Sequence, residues 1–145
     1  MSNATQVMLS IYSEILMKGE EPEIVDMMTE GKFYNKEGAK YFIYEETDLS
    51  GMKGDRTTLK LIEKRVVMRR YGANTSELSF EKGKRFESLY HTPYGDFPME
   101  VLSQEASHTI DELGNGEIKL GYQLSIRGIG ETKTRMVIKS RVLSE

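Results

Sequence analysis

Hydrophobic and polar residues alternate with period two along nearly the whole chain, and turn-forming residues interrupt the alternation roughly every ten positions. The clearest run sets Ile118, Leu120, Tyr122, Leu124 and Ile126 against Lys119, Gly121, Gln123, Ser125 and Arg127. Its neighbour sets Met136, Ile138 and Val142 against Arg135, Lys139 and Arg141. Successive side chains of a strand point to opposite faces, so each run predicts a half-buried antiparallel strand. The short link Gly128-Ile129-Gly130-Glu131 suits a hairpin between them.

The same pattern holds upstream. Val7, Leu9, Ile11, Ile15 and Met17 alternate along the first segment, and Gly19-Glu20-Glu21-Pro22 turns the chain into Val25, Met27, Thr29, Gly31 and Phe33. A turn at Asn35 to Gly38 leads to Lys40-Tyr41-Phe42-Ile43-Tyr44. Further strands are expected over residues 57–63, 66–71, 77–80 and 85–92, and from Phe97 toward Ile110. Lys82-Gly83, Pro93-Tyr94-Gly95-Asp96 and Gly114-Asn115-Gly116 supply the later turns. Glu23 to Glu30 is rich in Glu and Met and suits a short helix by propensity. Its Val and Thr, with alternation on both sides, favour a strand.

About ten antiparallel strands with short hairpin links predict an all-β domain, a single up-and-down barrel over residues 1–145 with a flexible start at residues 1–5. Meander links favour the barrel over a sandwich, which needs longer cross-sheet connections. A wall of roughly eight strands encloses an interior that side chains just fill, or that holds one small ligand.

Composition narrows the function classes. The 145 residues include no Cys, which excludes disulfides, thiolate metal sites and a cysteine nucleophile. The net charge of -3 exerts no general pull on nucleic acid or anionic membrane. No apolar stretch approaches the roughly 18–20 residues of a membrane-spanning helix. Ile15-Leu16-Met17 meets Lys18 and lacks a basic lead-in, so a cytoplasmic protein is expected. The C-terminal hairpin carries an outward basic stripe of Lys119, Arg127, Lys133, Arg135, Lys139 and Arg141. It has no interleaved aromatics for base stacking, which favours a solvated wall over a nucleic-acid surface.

Catalytic patterns are missing. There is neither a phosphate-binding loop nor a G-x-S-x-G elbow, and Gly51-Met52-Lys53-Gly54 does not open a helix. His91 and His108 lack partners at metal-ligand spacing. Glu45 and Glu46 are neighbours on a strand and must face opposite ways, so they form no acid/base dyad. Glu46 shares a face with Phe42 and Tyr44, and Arg70 shares one with Val66 and Met68. A charge on an apolar face must be paired or sit at a barrel mouth.

The order of short motifs resembles the YwiB-like family of small bacterial proteins. Tyr44-Glu45-Glu46, Thr57-Thr58-Leu59-Lys60-Leu61, Met68-Arg69-Arg70-Tyr71-Gly72 and Phe80-Glu81-Lys82-Gly83 carry the likeness. Tyr90-His91-Thr92-Pro93-Tyr94-Gly95 and Gly116-Glu117-Ile118-Lys119-Leu120-Gly121-Tyr122 extend it over most of the chain after residue 7. The resemblance implies a lipocalin-like, calycin-type barrel in the cytoplasm, mainly of Gram-positive bacteria, with no known function and no catalytic residue to carry over. The chain lacks the Gly-x-Trp of lipocalins, and also the helical lid and Arg-x-Tyr clamp of fatty-acid-binding proteins.

The expected function is therefore a non-enzymatic barrel, without cofactor, binding a small apolar or amphipathic ligand at one mouth. The alternative is an interaction module docking a protein or nucleic acid through its outer face and basic hairpin. In a meander all odd-numbered strands finish at one rim. That rim should gather Glu46, Arg70 and Tyr90 as an inward polar cluster, with Tyr44 beside them as a further ligand contact. The loop from Asp48 to Asp55, with Gly51 and Gly54, leaves the same rim and is the candidate lid.

Overall fold

The computed structural model describes residues 4–46 and 54–143, and their regular structure is entirely β. Ten strands follow one another: β1 (Thr5–Met17), β2 (Glu23–Lys36), β3 (Ala39–Glu45), β4 (Arg56–Ile62), β5 (Arg65–Tyr71), β6 (Ser76–Phe80), β7 (Arg85–Thr92), β8 (Gly95–His108), β9 (Gly116–Ile126) and β10 (Gly130–Val142). The Glu- and Met-rich segment after Glu23 is strand. Its alternating burial against β1 prevails over local helix propensity. Thr5, expected in a flexible start, already pairs with Phe33. Most of the expected lid, residues 48–53, lies outside the described residues.

The hydrogen-bonded order is β6-β5-β4-β3-β2-β1-β10-β9-β8-β7, antiparallel throughout. Every strand but β6 and β7 pairs with both its neighbours in sequence, and β1 meets β10, which is the connectivity of an up-and-down barrel. The seam lies between β6 and β7. There Thr75 and His91 exchange two backbone hydrogen bonds of 2.9 Å, and Ser88 Oγ donates to Glu77 O at 2.9 Å. Glu37-Gly38 links β2 to β3 with both φ values positive, the twist that a two-residue hairpin requires.

One end of the barrel is solid. Val7, Leu9, Phe33, Phe42, Leu59, Leu61, Val66, Met68, Phe80, Ile118, Leu120 and Ile138 point inward, all at 2% exposure or less. Phe33 and Phe42 pack with ring centroids 4.9 Å apart. The loop between β8 and β9 closes this end. Ile110 is buried, Ser140 Oγ donates to Gly114 O at 2.6 Å, and Asn35 Nδ2 donates to Glu112 O at 3.1 Å. Asp111 Oδ1 accepts the N–H groups of Leu113, Gly114 and Asn115 at 2.9–3.0 Å. Gly114 lies against the Phe33 ring at φ +109°, and a Cβ there would stand 2.8 Å from Phe33 Cδ2. A bulge between Ser103 and Glu105 interrupts the β8–β9 register.

Candidate functional site

At the other end, where the odd-numbered strands finish, the inward positions become smaller and more polar. Ser13 on β1, Thr57 on β4 and Thr134 on β10 are buried there. They cannot fill the width that Phe33, Phe42 and Phe80 span at the closed end. A cavity of about 190 Å³ remains, lined by Ile11, Ile15, Val25, Met27, Leu124 and Met136 on its apolar side. Tyr44, Glu46, Arg70, Tyr122, Ser13, Thr132 and Thr134 form the polar part of the lining. Phe80 meets Tyr122 at 4.6 Å between centroids, so Tyr122 stands where the packed core gives way to open space.

Alternation places the charges. Glu46 follows Phe42 and Tyr44 inward and is 6% exposed, whereas Glu45 is exposed and pairs with Arg56. Arg70 follows Val66 and Met68 inward, and its neighbour Arg69 bonds Glu77 on the outer wall. Thr57 Oγ1 donates to Glu46 Oε1 at 2.9 Å. Arg70 Nε stands 3.7 Å from the same oxygen, an ion pair longer than a hydrogen bond. Arg70 Nε is buried and has no hydrogen-bond partner among the described residues. Burial pushes the Tyr44 hydroxyl well above the usual phenol range, and the Glu46 carboxylate adds to the shift. Tyr122 moves the same way through burial, with Arg70 and Thr134 opposing. Both phenols therefore stay protonated and can donate hydrogen bonds.

The structure brings three of the four expected site residues, Tyr44, Glu46 and Arg70, to one cavity. Tyr90 ends at the same rim but does not line the cavity. Its hydroxyl accepts a hydrogen bond from Asn74 Nδ2 at 2.9 Å, beside the Thr75–His91 bridge, so it clasps the seam. The cause is topological: β7 pairs with β8 along one side and meets β6 without a ladder, through this bridge and the Ser88–Glu77 hydrogen bond. Tyr122, Thr57 and Thr134 had drawn no attention as site residues. Their inward phase was readable, but that β9 and β10 place Tyr122 and Thr134 around one space, with Thr57 of β4 holding Glu46 beside it, was not.

Elsewhere the surface is less convergent. His91 Nδ1 lies 2.8 Å from Asp96 and His108 Nε2 lies 2.8 Å from Glu63 O, both on the exposed wall. Among the described residues no three His, Cys, Asp or Glu side chains converge on a point that could hold a metal ion. Wider depressions lie elsewhere, about 470 Å³ beside Gly121, about 780 Å³ beside Pro98 and about 480 Å³ beside His108, with Glu14 and Arg135 lining the first, Glu87 and Glu131 the second and Glu63 and Lys64 the third. The basic stripe is outward and mixed with acids: Arg135 is 3.9 Å from Glu14, and Lys119 is 3.4 Å from Glu117. Among the described residues no helix is long and apolar enough to cross a membrane.

Fold and cavity together define a small antiparallel up-and-down β-barrel, packed solid at one end and hollow at the other. Residues 9–138 match the family described as Domain of unknown function (DUF1934), and the chain belongs to that family. The crystal structure of the ywiB protein from Bacillus subtilis is similar, with a TM-score of 0.83 at 23% sequence identity. That similarity covers 99% of this chain and 96% of the other, so the barrel is shared over its whole length. No curated protein matches the sequence.

Proposed function

We propose that this protein is a non-enzymatic binding protein that holds one small, partly apolar molecule in the cavity at the open end of the barrel. The observation that carries the reading is the contrast within one wall: tight packing below, and about 190 Å³ of space above it beside a Glu46–Arg70 pair. Protein interiors are normally filled to crystal-like density, so retained space with convergent polar groups is the usual mark of a ligand site. Tyr44, Glu46 and Arg70 are the assigned contacts, joined by Tyr122, and no residue is given a catalytic role. Tyr90 supports the rim by closing the seam. The open-ended meander is calycin-like in this reading, and a cysteine-free chain suits a reducing cytoplasm.

Native mass spectrometry of the protein purified from its own cells tests the proposal. A retained small mass is expected, and Leu124→Trp, which fills the cavity, should abolish it. A wild-type protein that carries no extra mass, and whose Ile11, Leu124 and Met136 methyl signals ignore a library of small aromatic and aliphatic compounds, would refute it.

A further inference from the structure

The size and charge of the cavity restrict what enters it. An apolar cavity of about 150 Å³ accepts benzene, so one of about 190 Å³ suits a single ring with a short substituent, on the order of ten non-hydrogen atoms. A long acyl chain exceeds this volume.

Among the described residues the charges in the lining are Glu46 and Arg70, which cancel. A ligand carboxylate would leave the cavity net negative, and a ligand ammonium would leave it net positive. Either one places an uncompensated charge in a low-dielectric site, where desolvation is expensive. One demand remains unmet. Arg70 Nε is a buried donor, and Glu46 Oε1 at 3.7 Å already accepts the Thr57 hydroxyl. The Arg70 side chain lines the cavity although Nε itself lies out of reach, and a neutral carbonyl oxygen set against the guanidinium takes a hydrogen bond without altering the charge balance. Tyr44 and Tyr122 border the same space, while Leu124, Met136 and Ile11 receive an apolar body.

Resting on the reading of the cavity as a ligand site, we infer that its occupant is a small uncharged molecule with a ring-sized apolar body and a carbonyl or amide oxygen set against the Arg70 guanidinium. The preference comes from the neutralised ion pair. Arg70 acts here as a hydrogen-bond donor rather than as a free cation.

Four probes of matched shape test this on the wild-type protein by calorimetry and methyl NMR: benzamide, benzoate, benzamidinium and cumene. Benzamide should bind about tenfold tighter than either ion, and measurably tighter than cumene, as one buried hydrogen bond implies. Its advantage over cumene should vanish in Glu46→Gln/Arg70→Met, which removes both charges together. Benzoate or benzamidinium binding as tightly as benzamide overturns the charge inference and leaves the ligand site standing. Cumene binding tightest overturns the assigned acceptor. Silence of the Ile11, Leu124 and Met136 methyls toward all four overturns the inference and the ligand-site reading together. Should the double variant not fold, the order of the four probes on wild-type protein decides alone.

Discussion

The two ends of the barrel are built from the same strands and behave as different materials. At the closed end the inward positions of β2, β3 and β6 carry Phe33, Phe42 and Phe80, all at 1% exposure or less, and the Asp111 loop seals the opening. At the open end β1, β4 and β10 present Ser13, Thr57 and Thr134, and space remains. Volume at the inward positions decides which end is core and which is site. The closed end stabilises the wall well enough for the open end to keep a buried ion pair and a cavity, both of which cost stability.

The contrast is broken most severely at the closed end. Phe42→Ala should lower stability by about 3–5 kcal/mol, combining lost transfer energy with a void that a rigid barrel cannot close. A urea midpoint close to wild type would show that this end is not the main source of stability.

Breaking the ion pair comes next. Arg70→Met leaves the Glu46 carboxylate buried without its partner and should cost about 2–3 kcal/mol, less than a fully buried pair because Arg70 is partly exposed. Glu46→Gln/Arg70→Met should recover most of that loss. A double-mutant cycle reads the coupling, and simple additivity of the two single changes would refute it.

Leu124→Ala sharpens the comparison from the open side. Leu124 is only partly buried and faces existing space, so the change should cost about 2 kcal/mol, the low end for its type. Leu120→Ala, two inward positions toward the closed end, should cost more. Equal costs would mean that the two ends are packed alike.

A smaller effect depends on pH. The N–H of Asn115, with those of Leu113 and Gly114, holds the Asp111 carboxyl below the usual carboxylate range. A depressed folded value means that the stabilisation is present above the ordinary carboxylate pKa and is lost as pH falls through the folded one. The advantage of wild type over Asp111→Asn in urea titrations should therefore be full near neutrality and shrink on acidification. An advantage that grows in acid would contradict the loop's role as a seal.

The smallest effect concerns the outer wall. Arg135→Gln and Lys139→Gln should each change stability by less than about 0.5 kcal/mol, because both side chains are exposed. Wild-type retention on immobilised RNA at physiological salt, lost in the double variant, would instead give the basic stripe a partner.

Period-two alternation alone was enough to predict the ten strands, their hairpin order, and the inward direction of Glu46, Arg70, Tyr44 and Tyr122. It works because a strand has only two faces and one of them must be dry. Other features came only from the closed structure. The seal depends on Gly114 meeting Phe33 and Ser140 meeting Gly114, contacts between residues distant in sequence that no local pattern encodes. The bulge between Ser103 and Glu105 shifts the phase of β8, and the single bridge at Thr75–His91 turns Tyr90 from a site residue into part of the seam. The cavity belongs to this second group as well. Each strand specifies which side chains face inward, but whether those side chains together fill the interior depends on how the curved wall brings all ten strands around one axis.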